Sequence, residues 1–177
     1  MKKVIVFAGS NSKQSINKQL AIYASSLVEN SEITILDLND FELPLFGVDL
    51  EADLGGQPKN AHKFLKYIEE SDGIMLSLAE HNGAYSAAFK NLLDWMSRIE
   101  GKTFYGKPML LMATSPGGRG GKSVLAMAQD RFPRHNANII GVFSLPSFKE
   151  NFNGSQITDQ ELNNTLKEKV EAFQKAL

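Results

Sequence analysis

Short runs of β-branched and aliphatic residues alternate along this chain with longer segments whose apolar positions recur every three or four residues. The short runs predict five strands, at residues 3–8, 32–38, 73–78 (extending to 79), 108–114 and 138–145. Several, such as Met109-Leu110-Leu111-Met112-Ala113, are continuously apolar, which suits strands covered on both faces. The longer segments predict helices at residues 16–29, 59–70, 86–99, 121–132 and 158–177. In the last of these Leu162, Leu166, Val170, Phe173 and Leu177 form one stripe, behind a Thr158-Asp159-Gln160-Glu161 sequence that fits a capping box. Residues 39–58, punctuated by Pro44, Gly47, Gly55 and Gly56, are the longest irregular stretch and predict a surface loop edging a site.

Alternating strands and helices predict a parallel sheet with right-handed crossovers. Five of each match the doubly wound α/β order 2-1-3-4-5, a three-layer sandwich with helices on both faces, whose ligands sit beyond the carboxyl ends of strands one, three and four. Unusual loops fall in those three places. Gly9-Ser10-Asn11-Ser12-Lys13-Gln14-Ser15-Ile16-Asn17 follows strand one, Glu80-His81-Asn82-Gly83 follows strand three, and Ser115-Pro116-Gly117-Gly118-Arg119-Gly120-Gly121 follows strand four.

The first loop is small, rich in hydroxyls and opens a helix, so its peptide N–H groups and the helix's positive end suit a phosphate. Ser10, Ser12, Ser15 and Asn17 supply donors, each charge-assisted bond being worth about 1.5–3 kcal/mol. A plainer reading makes Ser15 no more than a helix cap. The dinucleotide fingerprint G-x-G-x-x-G is missing, because after Gly9 the next glycine is Gly47. The run Gly117-Gly118-Arg119-Gly120-Gly121-Lys122-Ser123 resembles a P-loop, a minor alternative, but Pro116 stands where that motif needs its first glycine and removes an N–H. A mobile surface loop is its plainest reading. After strand three, Asn82-Gly83 predicts a tight turn, with exposed amides able to meet the polar edge of a flat heteroaromatic ring. Trp95, with Leu92 and Met96, reads as core or interface packing.

Bulk properties narrow the chemistry. The 177 residues suit one domain, 1–177, and bury roughly 70% of the unfolded chain's surface. There is no cysteine, so redox chemistry has no thiol to use and must reside in a borrowed cofactor. Lys plus Arg number 19 against 20 for Asp plus Glu, a net charge of -1 without blocks of one sign, which disfavours nucleic acid as a partner. The apolar run at residues 4–8 is too short for an export signal, and no stretch approaches the ~18 residues of a membrane span; a cytoplasmic protein is expected. Acidic residues show no ligand spacing, so no metal site is expected. His62 and His135 read as solvated surface residues, whereas His81 sits where it could line the ring, stack on it or donate a proton. Glu80 reads as a loop-positioning residue. The helix at 86–99 carries Phe89, Leu92, Leu93, Trp95, Met96 and Ile99 around much of its circumference, more apolar surface than one sheet face covers, which predicts a subunit interface.

With these residues in view the whole chain resembles the NADPH-dependent FMN reductase family, which includes quinone-, azo- and chromate-reducing enzymes. The family's G-S-x-R-x-x-S-x-N is matched by Gly9, Ser10, Ser15 and Asn17, with Ser12 in place of its arginine and Lys13 adjacent. Its P-E-Y-N and the following L-K-N-x-x-D-W are matched at Glu80, Asn82, Lys90, Asn91, Asp94 and Trp95, with Ala79, His81 and Phe89 replacing proline, tyrosine and leucine. Its S-x-G-x-x-G-G is met by Ser115, Gly117, Gly120 and Gly121. The resemblance implies a flavodoxin-like fold and FMN held without a covalent bond. Ser10, Ser12, Ser15, Ile16 and Asn17 would lie at its phosphate, Ala79, Glu80, His81 and Asn82 along the isoalloxazine, and Ser115, Gly117 and Gly118 on the ring's other side. It further implies NADPH or NADH as donor, and as acceptor a small molecule such as a quinone, azo compound, metal oxyanion or free flavin. The assembly implied is a homodimer or homotetramer. Losing the arginine should weaken phosphate binding. Two other classes remain: an electron carrier of the flavodoxin type, which should be strongly acidic, and a phosphate-binding module without flavin.

Overall fold

The computed structural model describes Met1–Leu177. Five parallel strands, β1 (Lys2–Gly9), β2 (Ser31–Leu36), β3 (Gly73–Leu78), β6 (Pro108–Thr114) and β7 (Asn138–Leu145), form one sheet in the order β2-β1-β3-β6-β7. This is the flavodoxin-like arrangement expected from the sequence. Strands β4 (Glu80–His81) and β5 (Ala84–Tyr85) form a separate antiparallel hairpin. The helices are α1 (Ile16–Ser26), α2 (Val48–Leu54), α3 (Lys59–Glu70), α4 (Ala87–Ile99), α5 (Lys122–Arg131), α6 (Phe148–Asn151) and α7 (Gln160–Ala176).

Strand alternation divides the apolar side chains between the two faces of the sheet. Ile5, Phe7, Ile74, Leu76, Met109 and Leu111 face α3, α4 and α5, which contribute Phe64, Ile68, Phe89, Leu92, Met96, Leu125 and Ala128. Val4, Val6, Met75, Leu110 and Met112 face α1 and α7, which contribute Leu20, Ala24, Leu166, Val170 and Phe173.

Several boundaries differ from expectation for local reasons. The second strand stops at Leu36, because the Asp37 carboxylate accepts from the N–H of Asn39 and starts a 3-10 turn over Leu38–Asp40. The segment 39–58 is not all loop; α2 forms within it, ended by Gly55 in the left-handed region. The first helix ends at Ser26, three residues early. The last is capped by Asp159, whose Oδ1 accepts from the N–H of Leu162, and not by Thr158. The apolar residues of α4 give no spare surface: Phe89, Leu92, Leu93, Trp95 and Met96 are all buried within the chain. Phe46 packs edge-on against Trp95 at 5.0 Å, and the Trp95 indole donates to the Pro44 carbonyl at 2.8 Å. The irregular segment thus covers the face that was expected to seek another subunit. His135 is buried, not solvated. A 3-10 turn at Phe132–His135 folds its ring inward, where Nε2 accepts from Arg131 Nε and Nδ1 lies 3.0 Å from the Gly101 carbonyl.

Tyr85 closes the hairpin against the core, stacked on Phe132 at 5.9 Å and edge-on to Phe89 at 5.4 Å. Its hydroxyl is buried without a partner, and burial pushes its pKa up to about 12. Removing an unpaired hydroxyl from a half-buried ring favours the fold, so Tyr85→Phe is expected to gain up to about 1 kcal/mol in urea unfolding at pH 7. The folded pKa lies above the unfolded value, so the wild-type fold loses stability as pH rises from about 10 to about 12. The variant should lack that alkaline loss.

Candidate active site

Register places the three unusual loops side by side. Gly9 of β1 pairs with Leu78 of β3, and Leu78 pairs with Ala113 of β6, so all three chains leave the carboxyl edge along one line. The order of the sheet reverses between β1 and β3, which is where a doubly wound sheet opens a crevice.

The first loop begins at a glycine because α4 passes close by: a Cβ on Gly9 would lie 2.9 Å from Leu78 Cδ2 and 3.2 Å from Phe89 Cγ. Ser86, the cap of α4, donates its hydroxyl to the Gly9 carbonyl at 2.7 Å and accepts from the N–H of Phe89. Within the loop each serine hydroxyl serves as an acceptor. Ser10 Oγ accepts from the N–H of Ser12 at 3.1 Å, Ser12 Oγ from that of Gln14 at 3.3 Å, and Ser15 Oγ from that of Lys18 at 3.1 Å. Ser15 therefore does cap α1, and all three O–H protons remain available to an anion. The peptide N–H groups of Ile16 and Asn17, in the first turn of α1, find no acceptor in the chain. Lys13 is exposed and carries the loop's one charge.

Asn17 does something its sequence position did not reveal. Its buried carboxamide points into the sheet, where Oδ1 accepts from Ser77 Oγ at 2.8 Å and from the N–H of Thr114 at 2.9 Å, while Nδ2 donates to the Thr114 carbonyl at 3.2 Å. The side chain expected to donate to phosphate is committed to β3 and β6, leaving Asn17 its backbone N–H for that purpose.

The second loop is the hairpin, with Asn82 and Gly83 at φ 53° and 77° as its two-residue turn. Ala79 is buried beneath it, and His81 and Asn82 are exposed. Glu80 Oε2 accepts from the N–H of Val124 at 2.9 Å, in the first turn of α5. The residue before that helix is Gly121, which has no side chain to cap it, so Glu80 supplies the cap from a neighbouring loop.

The third loop is bolted down, contrary to the reading of it as mobile. Ser115 Oγ donates to the Gly117 carbonyl, the N–H groups of Ser147 and Phe148 donate to the carbonyls of Gly117 and Ser115, and Ser144 Oγ donates to the Gly120 carbonyl. Gly121 sits at φ 74°, where a Cβ would lie 2.6 Å from the Ala113 Cβ. Gly117 and Gly118, by contrast, face open space, with nothing within 4 Å of a Cβ placed on either. A wall that keeps glycine without internal need fits close approach by a flat ligand. Beside the first loop, Asn11, residues of the 38–45 segment and the start of α4 line a cleft of about 530 Å³.

A family model described as NADPH-dependent FMN reductase matches residues 2–150. A 2-hydroxy-1,4-benzoquinone reductase of a Burkholderia species is 34% identical over 120 residues, 67% of this chain and 63% of that protein. An NADPH:quinone oxidoreductase of Arabidopsis thaliana is 33% identical over 131 residues, 72% of this chain and 65% of that one. The matches thus span somewhat under two thirds of these relatives' length. Among solved structures, a flavoenzyme of Paracoccus denitrificans, the NAD(P)H:(acceptor) oxidoreductase FerB, superposes with a TM-score of 0.77 at 28% identity, covering 99% of this chain and 96% of that one.

Removing the Asn17 carboxamide leaves buried groups on Ser77 and Thr114 unpaired. Asn17→Ala is therefore expected to cost about 2–4 kcal/mol in urea unfolding. A loss below about 0.5 kcal/mol would show that the tie does not hold the rim together.

Proposed function

Because the chain belongs to the NADPH-dependent FMN reductase family, we propose that it holds FMN at the carboxyl edge of β1, β3 and β6 and passes reducing equivalents from NADPH or NADH to a quinone-type acceptor. The observation that carries this reading is an asymmetry between two helix ends. The first turn of α5 is occupied by the Glu80 carboxylate, whereas that of α1 offers unpaired N–H groups on Ile16 and Asn17 beside three spare hydroxyl protons. Of the two helices that follow the first and third loops, α1 is the one whose open end suits a phosphate.

In this reading Ser10, Ser12 and Ser15, with the peptide groups of Ile16 and Asn17, hold the phosphate. Ala79, Glu80, His81 and Asn82 line one side of the ring, largely through backbone, and Ser115, Gly117 and Gly118 the other. When bound, FMN supplies the two-electron chemistry. The chain contributes binding, orientation and hydrogen-bond donors fixed in advance, and no group of it is assigned as a dedicated acid or base. The same asymmetry weighs against a P-loop reading of Gly117 to Ser123, since the Glu80 carboxylate stands where a phosphate would bind. A net charge of -1 weighs against an electron carrier that docks through acidic surface. The quinone class rests on likeness to quinone-reducing relatives of 33–34% identity. We place a homodimer or homotetramer interface on the segment around α2, where Leu45, Val48 and Leu54 are exposed, and not on α4.

Titration with FMN should give a yellow complex of micromolar affinity, about -8 kcal/mol. Ser10→Ala should weaken it roughly tenfold by removing one charge-assisted bond. NADPH should bleach the complex without oxygen, and a quinone should restore the colour. A complex that no nicotinamide bleaches would make the protein a carrier, and a solution that stays colourless would end the flavin reading.

A further inference from the structure

The bond from Glu80 to α5 does more than satisfy a helix end. Glu80 and Tyr85 are paired across the root of the hairpin, and each is fixed to the same helical segment. Glu80 takes the N–H of Val124 near the start of α5, and the Tyr85 ring stacks on Phe132, which follows its end. Ser86, the next residue, ties the chain back to the Gly9 carbonyl. The hairpin's root is thus held on both sides. Its tip, Asn82 and Gly83, makes no side-chain hydrogen bond. Beside it, the glycine-rich loop runs directly into Gly121 and the turn that Glu80 caps. One carboxylate therefore joins the two loops that follow the neighbouring strands β3 and β6.

We propose that Glu80 is a positioning residue that sets the width of the ring slot, by locking the hairpin to the first turn of α5 and so to the glycine-rich loop. This rests on the flavin reading for what fills the slot, but not for the lock itself. The peptide donor on Val124 meets a fixed acceptor, so the hairpin amides hold one position relative to Gly117 and Gly118. The carboxylate also keeps the positive end of α5 from competing with α1 for the phosphate. Glutamine at this position retains an acceptor oxygen and loses the charge; alanine loses both. The two variants separate hydrogen bonding from electrostatics.

The test compares wild type, Glu80→Gln and Glu80→Ala by amide hydrogen exchange without flavin, then by FMN titration, visible spectrum and steady-state kinetics. In Glu80→Ala the hydrogen-bonded amide of Gly120 in the glycine-rich loop and those of the paired strands β4 and β5 should exchange at least tenfold faster, with those of β1 and β3 unchanged. FMN affinity should fall about tenfold, the flavin absorption band should shift, and kcat should fall with it. Glu80→Gln should recover the exchange pattern and most of the affinity. Unchanged exchange in Glu80→Ala overturns the lock. Faster exchange with unaltered FMN affinity and spectrum overturns the positioning role. Should Glu80→Ala fail to fold, Glu80→Asp, whose shorter side chain cannot reach the N–H of Val124, decides instead: hairpin exchange raised tenfold supports the lock, and an exchange pattern like wild type overturns it. Wild-type protein that takes up no FMN overturns the functional reading, while the exchange data still judge the lock.

Discussion

A single buried carboxamide fixes the geometry of the crevice. Asn17 stands in the first turn of α1, yet its side chain reaches Ser77 on β3 and both backbone groups of Thr114 at the end of β6. Strand pairing alone sets where three chains leave the sheet, but it does not set where a helix on the sheet's other face begins. The Asn17 bonds do, because each would leave a buried polar group unpaired if α1 shifted by even half a turn. The unpaired N–H groups of Ile16 and Asn17 are held at a defined height above the strand ends as a result. The dipole of α1 is of use to a ligand only because this anchor aims it.

The second constraint is electrostatic economy at the rim. Two helices, α1 and α5, begin after β1 and β6, the strands on either side of β3, and both follow loops of small residues that could admit an anion. Two open positive ends would bind phosphate in two orientations. The chain closes one of them with its own carboxylate, Glu80, and leaves the other open. The one charged side chain of α1, Lys18, is neutralised by Asp37. Burial opposes ionisation of Asp37, but its hydrogen bonds from Lys18 and Asn39 outweigh burial and hold the carboxyl below its usual range. Lys13 is left as the exposed cation of the loop, beside the position where Ser12 stands for an arginine.

Sheet order, the three loops and their convergence were legible because period-two and period-3.6 patterns report burial directly, and the crevice follows from topology. Long-range polar bonds were not. Nothing near Asn17 in the chain marks it as a partner of Thr114, nor Glu80 as a partner of Val124, since such pairs are set by tertiary register and leave no local period. His135 was misread for the same reason: a polar residue after a helix is usually solvated, and only the turn that brings it to Gly101 says otherwise. The α4 stripe misled in the opposite sense. One sheet face does not cover all its apolar residues; Pro44 and Phe46, from the irregular segment after β2, cover Trp95.

That covering segment bears on selectivity. Residues 38–46 are fixed at Trp95, through the Pro44 carbonyl, and at Asn91, whose Oδ1 accepts from the N–H of Phe46 and whose Nδ2 donates to Pro44. The same residues supply most of the wall of the cleft beside Asn11. First loop and cleft wall are therefore both indexed to α4, the first through Ser86 and the second through Asn91 and Trp95. A change in the 38–46 segment reshapes the cleft without disturbing the anchor at Asn17, so ligand choice and ligand anchoring are separable in this fold. The anchor is polar, buried and intolerant of change; the cleft is of mixed polarity, open and bordered by exposed side chains such as Leu45. Differences in ligand among proteins of this architecture would then arise in the segment after β2 more readily than in the three loops at the carboxyl edge of β1, β3 and β6.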